Sequence, residues 1–189
     1  MSQPIETYGA GDVLLVVDMQ NDFCEGGALA VAGGHALVPG INAEIKAARE
    51  AGALVVASRD WHPIGHVSFS DQGGPWPVHC VQDTYGAAYH PDLALSEDTI
   101  RVSKGTAFDR DAYSAFDDTG LAAYLRGRGA KRIVICGLAL DVCVRATAKD
   151  AVNAGFPTRL LARLSEAVDP QQRRHCHAEL SSAGCEVVE

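Results

Sequence analysis

Residues 132–151, RIVICGLALDVCVRATAKDA, decide the fold. RIVIC is a β-branched-rich apolar run without polar alternation, the pattern of a strand buried on both faces. The run breaks at Gly137, and the spacing from Asp141 to Ala154 is that of a helix. A strand that hands over to a helix within twenty residues is half of a β-α-β unit, so the stretch argues for a layered α/β domain.

The same handover recurs along the chain. DVLLVVD (12–18) reads as a second fully buried strand, followed by a Gly-rich loop and a helix starting near Pro39. Ile41, Ile45 and Ala48 share a face of that helix, and Gly52 is placed to end it. ALVVASRD (53–60), TIRVSK (99–104), PTRLLAR (157–163) and CEVV (185–188) supply the remaining strands. Thr119 is the expected cap of a helix carrying Leu121, Tyr124 and Leu125, and Pro170 opens another over 170–184. The expectation is one domain over 1–189, a three-layer α/β/α sandwich around a mainly parallel six-stranded sheet. Residues 61–98 are rich in Pro, Gly and His and lack periodicity; an insertion of that length in a compact domain is usually functional.

Composition removes several function classes. The 189 residues hold 16 Lys plus Arg against 24 Asp plus Glu, a formal charge of −8. No basic block is present, so no nucleic-acid partner is expected. The apolar runs are far shorter than the roughly 20 residues of a membrane span. MSQPIETYGAGD has neither a basic nor an apolar leader region, which makes a cytoplasmic location the expectation. The six cysteines, at 24, 80, 136, 143, 176 and 185, show no CxxC pair and read as reduced thiols. Cys176, in HCH (175–177), is expected to pack inward.

In parallel α/β folds, ligands collect at the carboxyl ends of the strands. Asp18, Asp60, Lys104 and the 137–143 turn all fall there. With Asp141 as helix N-cap, Cys143 would sit in the first turn, where free N–H groups favour a thiolate. Position alone leaves two readings: an inert buried cysteine, or a nucleophile. Asp18 closes an apolar run, where a carboxylate needs a partner, and Lys104 can supply it. That pair is either a structural ion pair or, beside a thiol, a catalytic set. Asp60 and His62, two apart in an extended segment, leave on the same side. With His66 and His79 they offer a carboxylate and imidazoles, a donor set for zinc, iron or manganese.

VVDMQNDFCEGGALAV, RDWHPIGHVSF, WPVHCVQ, KGT with AYSAF, and GLALDVCVRAT resemble, in that order, the motif blocks of nicotinamidases, within the isochorismatase-like cysteine hydrolase superfamily. The resemblance runs from about residue 12 to the end of the chain. It implies an Asp18–Lys104–Cys143 triad, an oxyanion hole from the Ala139 and Cys143 N–H groups, and a cis peptide at Leu138–Ala139. It implies substrate contacts from Phe23, Trp76 and Tyr113. It also implies one divalent metal, zinc first, held by Asp60, His62 and His79, with His66 the more variable ligand. The implied reaction is nicotinamide hydrolysis to nicotinate and ammonia in NAD salvage, with pyridine and pyrazine carboxamides as the substrate class. Family members occur as monomers and larger assemblies, so a homo-oligomer is compatible with it. Another amidase of the superfamily, or a metal- or small-molecule-binding relative without catalysis, is the alternative. Leu140 and Val142 depart from the common pattern beside the nucleophile, where Thr and an aromatic or His are frequent.

Overall fold

The computed structural model describes residues 3–189. Six strands form one parallel sheet: β1 Asp12–Val17, β2 Leu54–Asp60, β3 Ile100–Lys104, β4 Arg132–Leu138, β5 Thr158–Glu166 and β6 Glu186–Val188. Their order across the sheet is β3-β2-β1-β4-β5-β6. Helices α1 Val38–Glu50, α2 Leu121–Gly127, α3 Arg145–Asn153 and α4 Arg173–Ser182 make the other crossovers, while residues 61–99 join β2 to β3 without an α-helix. The three-layer sandwich expected from the sequence is what the chain forms.

Period-two packing sorts each central strand between two cores. Val13, Leu15 and Val17 join one apolar cluster with Leu121 and Leu125 of α2, Ala148 of α3 and Leu180 of α4. Leu14 and Val16 face the other cluster with Ile41, Ile45 and Ala48 of α1. Strands buried on both faces must be continuously apolar, which is why they were legible as unbroken runs.

The strand order reverses between β1 and β4. Crossovers leave in opposite directions there, opening a crevice at the carboxyl ends. Gly137 permits the close approach: it has φ +119°, and a Cβ on it would lie 2.1 Å from the Val17 carbonyl oxygen. Asp18 directly follows β1 and the 139–144 turn follows β4, so both enter the crevice.

Two local expectations differ from the structure. Thr119 does not cap α2; Gly120 does, with φ 73°, although the Thr119 hydroxyl accepts the Leu121 N–H at 3.3 Å. Nor does a single helix run from Asp141 to Ala154. Leu140–Val144 is a wide π-helical turn and α3 begins at Arg145. Asp141 caps nothing, because its carboxylate is held by the distant Val168 and Asp169 N–H groups. The 61–98 segment is less irregular than its sequence, being pinned by bridges between His62 and Val81, Phe69 and Trp76, and Gln20 and Tyr89.

Candidate active site

Lys104, at the end of β3, is fully buried, and its ammonium is the hub of the crevice. It lies 2.8 Å from Asp18 Oδ2 and 2.5 Å from Asp60 Oδ1, and donates to Cys143 Sγ at 3.4 Å. The Ser58 hydroxyl donates to Asp18 Oδ1 at 2.7 Å, leaving Oδ2 for Lys104 and the thiol. One cation thus faces two carboxylates and a sulfur, all nearly without solvent exposure. Such a cluster persists only when each member is paired.

The local fields follow from that packing. Burial pushes the Asp18 carboxyl up, against the pull of Lys104. Burial likewise pushes the Cys143 thiol well up, with Lys104 opposing and both carboxylates adding to it. Burial would lower the Lys104 ammonium, but Asp18 and Asp60 outweigh it and hold it firmly protonated. Asp60 stays ionised: Lys104, His62 and His79 overcome its desolvation. That upward push opposes the thiolate that free N–H groups in a first helical turn would favour.

The oxyanion-hole candidates lie on the same turn. The Ala139 carbonyl accepts the Val142 and Val144 N–H groups at 3.1 and 3.0 Å, while no acceptor among the described residues meets the Ala139 N–H. The Leu138–Ala139 peptide is cis.

Asp60 turns its second oxygen toward two imidazoles. His62 Nδ1 donates to the Gly105 carbonyl at 2.8 Å and His79 Nδ1 to the Pro77 carbonyl at 2.8 Å. Those bonds aim both Nε2 atoms at Asp60 Oδ2, at 3.5 and 3.7 Å. The three ligand atoms are too far apart for good hydrogen bonds, yet near enough to share one cation. Carboxylate and imidazole, without sulfur, fit a divalent ion in an open site. Gly105 makes room for the His62 ring: a Cβ there would stand 2.4 Å from Cε1.

His66 is placed differently. It stacks on His62 with centroids 4.1 Å apart, and its ring nitrogens meet Ser68 Oγ at 2.7 Å and the Arg110 carbonyl at 3.1 Å. It falls in a second group with His62 and Asp111 rather than facing Asp60. Phe23, Trp76 and Tyr113 all line the pocket above Cys143, with Trp76 Nε1 donating to Tyr113 Oη at 3.1 Å. Val142 also lines it, whereas Leu140 is buried in the core, so only one of the two unusual residues can alter the wall.

Some site residues escaped sequence reasoning. Gln20, fully buried, clamps Asp60 by accepting its N–H and donating to its carbonyl, both at 2.8 Å. Phe69 packs edge-on against His62, His66 and His79 at 5.6 to 5.7 Å. Ser58 had a faint signal, a hydroxyl inside an apolar strand. Leu29, Val31 and Val168 of the pocket had none. The remaining cysteines are free and buried.

A thiol, an acid and an amine at the switch point of a parallel sheet, next to a cation cradle, define a candidate hydrolase with a sulfur nucleophile. The chain belongs to the isochorismatase family, whose domain model matches residues 12–189. A nicotinamidase/pyrazinamidase of Mycobacterium tuberculosis is 40% identical, over 93% of this chain and 97% of that one. The crystal structure of a pyrazinamidase of Pyrococcus horikoshii in complex with zinc superposes with a TM-score of 0.92 at 47% identity, covering 95% of this chain and 99% of that one. PnC1 from L. infantum in complex with nicotinate gives 0.89 at 41%, covering 98% and 96%. Among the described residues no helix is long and apolar enough to cross a membrane.

Proposed function

We propose that this chain is a nicotinamidase, hydrolysing nicotinamide to nicotinate and ammonia through a thioester on Cys143, with related pyridine and pyrazine carboxamides as its substrate class. The observation that carries the reading is the Lys104 ammonium, in contact at once with Asp18, Asp60 and Cys143. It ties a nucleophile and its base to a cation site, and the relatives that act on nicotinamide or pyrazinamide support that combination.

Asp18, its affinity for a proton raised by burial, takes the Cys143 proton as sulfur attacks the carboxamide carbon. Lys104 stays charged and offsets the negative charge moving between sulfur and carboxylate. The carboxamide oxygen gains charge and is held by the Ala139 and Cys143 N–H groups; one such donor is worth about 3 kcal/mol in other hydrolases. The C–N bond breaks, Asp18 returns the proton to the nitrogen, and ammonia leaves. Asp18 then draws a proton from water, whose oxygen attacks the thioester carbon; the C–S bond breaks, Asp18 returns that proton to sulfur, and the acid leaves as nicotinate with its proton passing to solvent.

Phe23, Trp76 and Tyr113 present the aromatic surface on which a flat ring is held over the thiol. Asp60, His62 and His79 would hold one divalent ion, zinc by similarity to the Pyrococcus horikoshii structure. When bound, that ion supplies a Lewis-acidic position for a ring nitrogen, which orients the substrate. Zinc-loaded protein is expected to release one ammonia per nicotinate formed from nicotinamide, by coupled ammonia assay and chromatography. Zinc-loaded protein that produces neither refutes the proposal.

A further inference from the structure

Asp141 stands two residues before Cys143, and its carboxylate is spent on a segment 27 residues away in sequence. Oδ1 accepts the Val168 N–H at 2.8 Å and Oδ2 accepts the Asp169 N–H at 3.0 Å. Those two residues lie in the loop between β5 and α4. Ala167 is buried in the same apolar cluster as Cys143, and Asp169 folds back to accept the Gln171 N–H at 3.0 Å. Between those anchors Val168 is half-exposed and lines the substrate pocket with Val142 and Ala139.

The loop therefore reaches the pocket by two routes. Along the chain it is a short connection between elements, exposed at Val168. Across the crevice it is bolted by two charge-assisted bonds to the turn that carries the nucleophile. The second route sets the distance between the Val168 side chain and the sulfur.

We propose that Asp141 is a positioning residue that holds Val168 as a specificity-determining wall of the pocket, selecting unsubstituted heteroaromatic carboxamides over ring-alkylated ones. This rests on the nicotinamidase reading. An apolar wall discriminates by steric exclusion only as far as it cannot retreat, and a methyl group in a firm pocket is worth roughly tenfold or more. Asp141 is what prevents the retreat. Both bonds are made by exposed residues, so water can take the place of the carboxylate when it is removed. The loop loosens and the fold survives.

The test compares kcat/KM for nicotinamide and for a panel of its monomethylated ring derivatives in wild type, Val168→Ala, Asp141→Ala, Asp141→Asn and the Asp141→Ala/Val168→Ala double variant. Val168→Ala is expected to raise the methylated-to-parent ratio about tenfold for at least one ring position. Asp141→Ala should shift the same position in the same direction with Val168 intact, and the double variant should add little to either. Asp141→Asn, which keeps one acceptor oxygen, should fall between. Hydrogen exchange at the Val168 and Asp169 amides should quicken in Asp141→Ala, with zinc content unchanged. Wild-type turnover with unaltered ratios in the variants, or a uniform loss on every substrate, overturns this inference alone. No turnover of nicotinamide by wild type overturns the functional reading, and the substrate claim made here goes with it.

Discussion

The sheet carries a charged network at each end of its strands, and the two networks behave differently. At the amino ends, Arg132 pairs with Asp12 at 2.6 Å, and Arg159 pairs with Glu6 at 2.5 Å, the guanidinium groups about a quarter exposed. At the carboxyl ends, Lys104, Asp18 and Asp60 meet with almost no exposure. Water screens the first network, so it contributes modest stability. The second is almost wholly buried: each charge is tolerable only because its partners are fixed, and in the function proposed above that is the condition that poises a sulfur for attack. A strand start and a strand end can be equally rich in charge, and depth is what sets the two apart.

The largest expected effect is on the nucleophile. Cys143→Ala should lower ammonia release by at least about four orders of magnitude, with zinc content unchanged by metal analysis. Lys104→Met leaves two buried carboxylates facing each other, so it should abolish turnover and also cost about 3–5 kcal/mol in urea denaturation. Arg132→Ala, the matching lesion at the other end, should cost about 1 kcal/mol or less and leave kcat/KM unchanged. Equal damage from the two would erase the contrast.

His79→Ala should weaken zinc binding by more than about 100-fold in competition with a chromophoric chelator, because the removed ring is a direct ligand candidate and not a supporting group.

The smallest effect is on pH-dependent stability at the amino ends. Hydrogen bonds from Arg132 and the Gly9 N–H hold Asp12 below the usual carboxylate range. At Glu6, burial pushes upward, but Arg159, the Thr7 N–H and Arg132 more than compensate. Carboxyls depressed on folding contribute stability that is complete above their unfolded pKa and is lost as pH falls through the folded value. Melting temperature should therefore be flat near neutrality and drop below about pH 4, and Arg132→Ala should flatten that drop.

How much of this was readable beforehand follows the range of the forces. The strands were legible because burial on both faces leaves long apolar runs, and Asp18, Asp60, Lys104 and Cys143 stood out as polar interruptions at their ends. The helix caps were not: Thr119 and Asp141 satisfy local capping rules, but Gly120 takes the first position and residues 168–169 capture the second carboxylate. Gln20 and Phe69 act through contacts 40 or more residues away, for Gln20 with Asp60, or within an aperiodic segment, and nothing nearby in sequence announces either. His66 was the more variable of the four by resemblance, and its ring nitrogens meet Ser68 and the Arg110 carbonyl instead of Asp60, contacts that no local pattern announces.

The central claim is that the sulfur of Cys143, with Asp18 to take its proton and backbone N–H groups to receive the oxyanion, is aimed at a carbonyl carbon on a pyridine ring. Pyridine-3-carbaldehyde labelled with carbon-13 at the aldehyde offers that carbon without a leaving group, and its NMR shift in the zinc-loaded protein reads the outcome. A tetrahedral thiohemiacetal signal that vanishes in Cys143→Ala is expected. A bound aldehyde that stays trigonal in the wild-type protein, or a tetrahedral signal that persists without the thiol, would contradict it.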